Sequence, residues 1–311
     1  MAKMWMYVYF SFSLEDVIGL MRYIIPYIGT IKPAVHMDSC VNTKQNNYDQ
    51  GTLQTVSRAI KVVDILARSD SAGVTEVADE LELSKSTVHT YLKTLERSGY
   101  VVRNGNEYAL AYKLWLLGES IRNRSYLYQV TRQEVDQLAA ETGHYAHLTV
   151  AENGKGVNLY QAKGDDSASY DYQTRKMQHM EPLHLTATGK AILASLSRPT
   201  VESILDRHGL PQRTPHTITD REELFAELDA IADRGYAYND EEEVEGFRAV
   251  GAPIVGPNEE VFGAVSASGP RSVLKGDRFD NKFPDMVTRT ANLVQVNINM
   301  SSNYPSNIEP S

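Results

Sequence analysis

Residues 74–110, VTEVADELELSKSTVHTYLKTLERSGYVVRNGNEYAL, read as two short amphipathic helices, a tight turn between them and a β-hairpin behind them. Thr75 is the expected N-cap of the first helix, which runs to about Leu81 with Val74, Ala78 and Leu81 on one face. Leu83 plugs the turn and Ser84 caps the second helix, where Val88, Leu92 and Leu95 form an apolar stripe at helical spacing. Gly99 stands where a left-handed residue ends a helix. Val101–Arg103 and Asn106–Tyr108 then flank Asn104-Gly105, a dipeptide preferred in type I′ hairpin turns. The polar face of the second helix carries hydroxyls, an imidazole and amines, the short donors and acceptors that meet base edges in a DNA major groove. The stretch therefore predicts a winged helix-turn-helix. Lys85, Ser86, Thr87, His89, Thr90 and Lys93 are its candidate DNA-contacting residues, with Arg103 on the wing. The alternative is a purely structural helical unit, since a lone helix-turn-helix pattern is a moderate signal.

Charge tests that reading. Gln54–Leu110 holds seven Lys/Arg against eight Asp/Glu, but Ser84–Arg103 holds Lys85, Lys93, Arg97 and Arg103 against Glu96 alone. A basic stripe, rather than overall charge, is what phosphate requires. The whole chain, 311 residues with net charge −9, is acidic for a DNA-binding protein. Either a second, acidic domain outweighs the basic helix, or a salty cytoplasm keeps the protein acidic. A single cysteine, Cys40, excludes an internal disulfide framework and a multi-cysteine metal site, and fits a reducing, cytoplasmic setting.

Residues 1–36 are aromatic and apolar, yet Glu15, Asp16, Arg22 and Pro26 interrupt them. No uncharged run reaches the roughly 18 residues of a membrane span, so no membrane partner is expected. A membrane-associating tail is one reading; translation from Met37, with 1–36 as upstream sequence, is the favoured one. Asp38–Gly51 is polar and reads as disordered leader.

Thr55–Arg58 opens a further helix with Ile60, Val63 and Ala67 at helical spacing, and Tyr112–Arg122 reads as a connecting helix whose Leu114, Leu117 and Ile121 pack on a partner helix or subunit. From Val130 the pattern becomes mixed. A helix over Thr131–Glu141 precedes a hairpin, His147–Val150 and Val157–Tyr160, around Asn153-Gly154. A helix over Thr188–Leu196 follows, then one opened by a capping box at Thr219–Glu222 and ending at Gly235. The strands Ala249–Val255 and Val261–Ser268 flank Gly256–Asn258, and a last helix carries Val287, Ala291, Val294 and Ile298 on one face. Hairpins flanked by helices imply an antiparallel α+β domain.

These blocks, in this order, resemble the IclR family of transcriptional regulators. TVSRAIKVVDIL and LSKSTVHTYLKTLERSGYV carry the resemblance in the N-terminal part. PLHLTATGKAILA (182–194), RGYAYNDEEEVEGFRAVGAPI (234–254) and FGAVSASGP (262–270) carry it in the C-terminal part. The resemblance implies an α+β protein with a winged helix-turn-helix at 52–111, a linker helix at 112–125 and a GAF-like antiparallel effector domain at 126–300. A leader over 1–51 and a tail over 301–311 flank them. It implies double-stranded DNA and a small, anionic effector as partners, and assembly as a homodimer or homotetramer. Carried over by position, the effector site comprises the backbone at Ala187, Thr188 and Gly189, with Asn239, Ala249, Ser266 and Ser268. Asn239 stands where some members have Asp, and Ala249 where some have Cys. Free N–H groups at a helix start favour a carboxylate, and strand alternation puts both serines on one face.

No Ser/His/Asp set, no metal-ligand cluster and no paired carboxylates outside the acidic loop are evident, so no catalytic residue, metal or cofactor is expected. An enzyme or ligand-binding protein acting through the α+β domain remains the alternative. Gly189-Lys190 lacks the preceding glycine of a phosphate loop. Asp240–Glu243 reads as a solvated acidic loop, and His144 and His147 as structural or surface residues.

Overall fold

A computed structural model describes residues 52–167, 177 and 179–300. The expected leader over 1–51 and tail over 301–311 lie outside them. Helix α1 (Gln54–Arg68) opens the described chain. Two units, Met1–Lys61 and Val62–Ser311, divide the chain inside this helix. In the first, Ile60 is 56% exposed; in the second, Val62, Ile65 and Leu66 are buried. The expected Ile60–Val63–Ala67 stripe is therefore not the packed one. Val62, Ile65 and Leu66 offer an equally apolar i, i+3, i+4 face, and packing selects it.

Strand β1 (Ala72–Gly73), α2 (Val74–Leu81), α3 (Lys85–Arg97), β2 (Val101–Asn104) and β3 (Glu107–Leu110) form the winged helix-turn-helix, with sheet order β1-β3-β2. Gly73, not Thr75, is the N-cap of α2, because its pairing with Glu107 keeps it extended. Its N–H donates to Glu76 Oε2 at 2.7 Å. Ser84 caps α3 as expected, accepting from the Thr87 N–H. Gly99 ends the helix with φ +75°. Val88 and Leu92 are buried with Val77, Ala78, Val101 and Tyr108 in one core, and Leu95 packs on its edge.

The wing turn departs from expectation. Asn104 pairs with Glu107, so Gly105-Asn106 are the two central residues. Gly105 alone has positive φ (+65°), the pattern of a type II′ turn with glycine first rather than a type I′ turn on Asn104-Gly105. The second hairpin turns on Asn153-Gly154 as expected, and both residues have positive φ, +53° and +76°, the pattern of a type I′ turn.

Helix α4 (Tyr112–Arg124) follows, and no residue on it is buried. Lys113 Nζ donates to the Ser98 carbonyl at 2.8 Å, tying α4 to the end of α3. Helix α5 (Tyr126–Thr142) starts at a Ser125 cap. Then come β4 (Tyr145–Glu152), β5 (Lys155–Lys163), β6 (Glu181–Pro182), α6 (Ala187–Ala194), α7 (Arg198–His208), α8 (Arg221–Arg234), β7 (Ala237–Asp240), β8 (Phe247–Val255), β9 (Val261–Pro270) and α9 (Phe283–Met300). The sequence reading contained neither α7 nor β7. Asp220 rather than Thr219 caps α8, its Oδ1 accepting from the Glu223 N–H at 3.0 Å.

The large sheet is antiparallel with order β6-β5-β4-β9-β8-β7. One face packs Ala146, Leu148, Val250, Ala252, Ile254, Val265 and Ala267 against α5 and α9, including the expected Val287, Ala291, Val294 and Ile298. Towards the other face lies a second core, where Leu183, Ala191, Ile192 and Leu193 pack with Ala237, Ala264 and residues of α7 and α8. Helix, sheet and helix make three layers.

Candidate functional site

On α3, Lys85, Ser86, His89, Thr90 and Lys93 are exposed and Thr87 is half-buried. Val88 and Leu92 on the opposite face are fully buried, so the polar face is turned outward. Ser86 and Thr87 hydroxyls lie 2.9 and 2.7 Å from Ser84 Oγ, and Thr90 donates to the Ser86 carbonyl at 3.0 Å. Each hydroxyl keeps acceptor capacity for a further partner. On the wing, Arg103 Nε donates to the Gly105 carbonyl at 2.8 Å, and its guanidinium lies 5.7 Å from the Tyr108 ring centre.

The second site is built on the sheet. Strand registers align Ser266 with His147 on one side and Gly251 on the other, and align Ser268 with Tyr145 and Ala249. Asn239 pairs with Ala249 and Gln161 with His147. Directly opposed residues in an antiparallel pair share a face. Gln161, His147, Ser266 and Gly251 therefore form one row, and Tyr145, Ser268, Ala249 and Asn239 the next. Tyr145, His147, Ser266 and Ser268 are all buried, and Ser268 Oγ has no hydrogen-bond partner among the described residues.

The start of α6 sits directly above this face. A Cβ on Gly251 would come within 2.7 Å of the Ala187 carbonyl carbon and 2.8 Å of the Thr188 nitrogen. Only glycine lets the helix N-terminus approach so closely. Thr186 caps α6, and its Oγ1 accepts from the Gly189 N–H at 2.9 Å. The Gly189 amide is thus engaged by the cap, which leaves those of Ala187 and Thr188 as the donors at the helix start. Asn239 is also engaged at both ends: Nδ2 donates to the Leu185 carbonyl at 2.8 Å, and Oδ1 accepts from the Glu242 N–H at 3.0 Å. It holds the entry to α6.

The acidic run is not solvated as expected. Glu241, Glu242 and Glu243 are each 7% exposed. Lys190, 1% exposed, donates to Glu242 Oε1 at 2.6 Å, and Glu227 lies 3.9 Å away. Arg271 pairs with Glu241 at 2.6 Å. Thr214 and Thr217 donate to the carbonyls of Glu241 and Glu242, each at 2.7 Å. Burial pushes the Glu242 carboxyl above its ordinary range, and the Lys190 ammonium pulls it back. The loop is buried because cations remote in sequence reach it. Lys190, read only as a failed phosphate-loop lysine, is the residue that binds α6 to this loop.

His144 and His147 are both buried rather than at the surface. His144 packs near Phe283, and burial together with Arg278 depresses its pKa. His147 lies on the polar face beside Ser266, its Nε2 3.2 Å from Gln161 Oε1. The sequence reading missed His147, Tyr145 and Gln161 at this site. Strand alternation could have grouped His147 with Tyr145, but pairing with Ser266 has no local signal. Among the described residues, no group of three His, Cys, Asp or Glu side chains could hold a metal ion, and no helix is long and apolar enough to cross a membrane. A cavity of about 830 Å³ lies elsewhere, between Tyr126, Ala151, Ile192, Ser203 and Phe262.

A helix-turn-helix with an outward polar recognition face, carried on the same chain as an α+β domain, defines a DNA-binding transcription regulator. Residues 55–105 match the IclR helix-turn-helix domain, and residues 121–296 match the C-terminal domain of the bacterial transcriptional regulator IclR. The chain belongs to the IclR family. It is 34% identical to the probable helix-turn-helix-type transcriptional regulator ArcR of Halobacterium salinarum, over 81% of this chain and 97% of that one. The crystal structure of a family regulator from Alicyclobacillus acidocaldarius is 26% identical with a TM-score of 0.68, covering 79% of this chain and 99% of that one. An IclR homologue from Microbacterium hydrocarbonoxydans, crystallised with 4-hydroxybenzoate, shares the fold at 20% identity and a TM-score of 0.67. It covers 79% of this chain and all of the other.

Proposed function

We propose that this regulator reads an operator through α3 and the wing, and that a small organic anion bound against the start of α6 changes its operator affinity. Ser86, Thr87, His89 and Thr90 meet base edges, Lys85 and Lys93 meet phosphates, and Arg103 reaches phosphate or the minor groove from the wing. The anion lies against the Ala187 and Thr188 amides with Ser266 and Ser268 completing its hydrogen bonds. Asn239 and Ala249 shape that end of the site, and Gly189 belongs to it through the cap. Ser268 carries this reading: a buried hydroxyl without a partner is costly unless a ligand supplies one. The second support is the helix start seated over Gly251, whose free N–H groups and positive dipole end favour negative charge.

The effector is bound unchanged rather than turned over, and the protein works in the cytoplasm with its DNA. One winged helix reads one half-site, so the working form is a homodimer or a homotetramer. The exposed apolar side chains of α4, with Tyr112 89%, Trp115 62% and Ile121 64% exposed, support a second copy as their partner. A thermal-shift screen of small organic acids against the parent and the Ser266→Ala/Ser268→Ala variant tests the site. The variant keeps operator binding and loses the ligand response; equal stabilisation of both proteins by the best acid would refute the assignment.

A further inference from the structure

The two apolar cores of the α+β domain part at one end of the sheet, and the cavity of about 830 Å³ lies in the gap. Leu127 and Phe262 reach it from the core packed on α5 and α9, and Ile192, Leu196 and Ile204 from the core of α6, α7 and α8. It shares no residue with the effector site proposed above. Its rim is held in shape by the protein alone. His208 Nε2 donates to the Asn153 carbonyl at 2.7 Å, and a Cβ on Gly154 would come within 2.9 Å of the His208 ring. The β4–β5 turn is thereby closed onto the end of α7. Ser125, also on the lining, caps α5 by accepting from the Tyr128 N–H at 3.3 Å. A preformed cleft of several hundred Å³ with mostly apolar walls and a few polar groups is the usual form of a small-molecule site.

Charge selects the ligand. Among the described residues that line the cavity, Arg207 is the only charged one. The acidic side chains beside it on α7 are engaged elsewhere, Asp206 with Arg221 at 2.7 Å and Glu202 with Arg198 at 3.2 Å. Arg207 itself has no ion-pair partner among the described residues. Tyr126 also lines the cavity, and its hydroxyl is enclosed with no hydrogen-bond partner among the described residues. An enclosed hydroxyl of that kind is satisfied when a ligand supplies the partner. The geometry points to a second ligand site, distinct from the face beneath α6, that takes a carboxylic acid with a long apolar body. The body lies against Leu127, Ile192, Leu196 and Phe262, and the carboxylate meets Arg207. Covering those walls removes apolar surface from water, which supplies the affinity. The lone cation, with no carboxylate on the lining, favours an anionic head over a cationic one. A short acid satisfies Arg207 but leaves the walls wet.

The test is calorimetric titration of the full chain with decanoate, hexanoate and decyltrimethylammonium. The proteins are the parent, Ser203→Trp, Arg207→Gln and Ser266→Ala/Ser268→Ala, each checked for folding by circular dichroism. Ser203 lines the cavity from an exposed position on α7, so its replacement by Trp fills the mouth without entering either core. Decanoate binds the parent once per chain and at least ten-fold more tightly than hexanoate, since each buried methylene contributes about four-fold. It also binds more tightly than decyltrimethylammonium. Ser203→Trp weakens decanoate at least ten-fold. Arg207→Gln weakens it about three- to five-fold, the scale of an exposed ion pair, and leaves the ammonium unchanged. The double serine variant binds decanoate like the parent. Failure of decanoate to bind, or parental affinity in Ser203→Trp, overturns the site. A loss in the double serine variant instead of Ser203→Trp also overturns it, by placing decanoate on the face beneath α6, and leaves the effector site standing. Equal affinity for decyltrimethylammonium overturns the carboxylic-acid class. Light scattering in which Ser203→Trp falls to a smaller assembly than the parent would make a second copy of the chain the occupant, and that too overturns the proposal.

Discussion

Lys190→Met removes the ammonium that faces Glu242 and leaves a carboxylate that is almost wholly enclosed. The pair is close, 2.6 Å between Nζ and Oε1, and the two side chains are 1% and 10% exposed. Breaking such a pair by deleting one partner costs about 3–5 kcal/mol, because the remaining charge stays buried. For a cooperative unit of the effector domain's size this corresponds to a fall in Tm of about 6–20 °C. The sign of the pH dependence follows from Glu242. Burial raises its pKa and Lys190 opposes the rise. Without Lys190 the folded state holds the proton more tightly than the unfolded chain, whose carboxyl titrates near 4.5. Stability is then present below that value and is lost as pH rises through the raised folded pKa. The penalty in Lys190→Met is therefore greater near pH 8 than near pH 5. Urea unfolding followed by circular dichroism measures it, and Lys190→Met/Glu242→Leu serves as the control. Replacing both charges by apolar groups restores most of the loss. A penalty below about 1 kcal/mol at every pH would refute the reasoning, since that is what a solvated pair contributes.

Two further outcomes are expected. Gly251→Ala forces a methyl against the backbone of Ala187 and Thr188, costing about 1–3 kcal/mol in thermal unfolding and abolishing stabilisation by organic acids while operator binding survives; a variant that responds to acids like the parent would remove the helix start from the site. His89→Ala weakens binding by about 1–3 kcal/mol at one operator position, whereas Lys93→Ala weakens all sequences alike and flattens the salt dependence. Binding curves at several salt concentrations separate the two, and parental behaviour in both would mean that α3 is not the reading helix.

Signals confined to a few residues were legible in the sequence. Ser84 as a cap, Gly99 as a helix end, Asn153-Gly154 as a turn and the Val287–Ile298 stripe all depend on neighbours within a turn or two, where backbone angles and 3.6-residue spacing decide the outcome. The pairing of Ser266 with Ser268 on one face follows from alternation alone. Where two local choices were nearly equal, packing decided: Val62, Ile65 and Leu66 over Ile60 and Val63, Gly73 over Thr75, and a turn centred on Gly105-Asn106. What only the tertiary structure decided couples residues far apart in the chain. Lys190 meets Glu242 across 52 positions, and β4 lies beside β9, which sets His147 against Ser266. Gly251 lies under Thr188 because a helix from one part of the chain packs on a strand from another. A run of four acidic residues has the same sequence whether water or a buried lysine balances its charge. The cost of burying charge is set by what surrounds it in space, and for this chain those surroundings arrive only with the sheet.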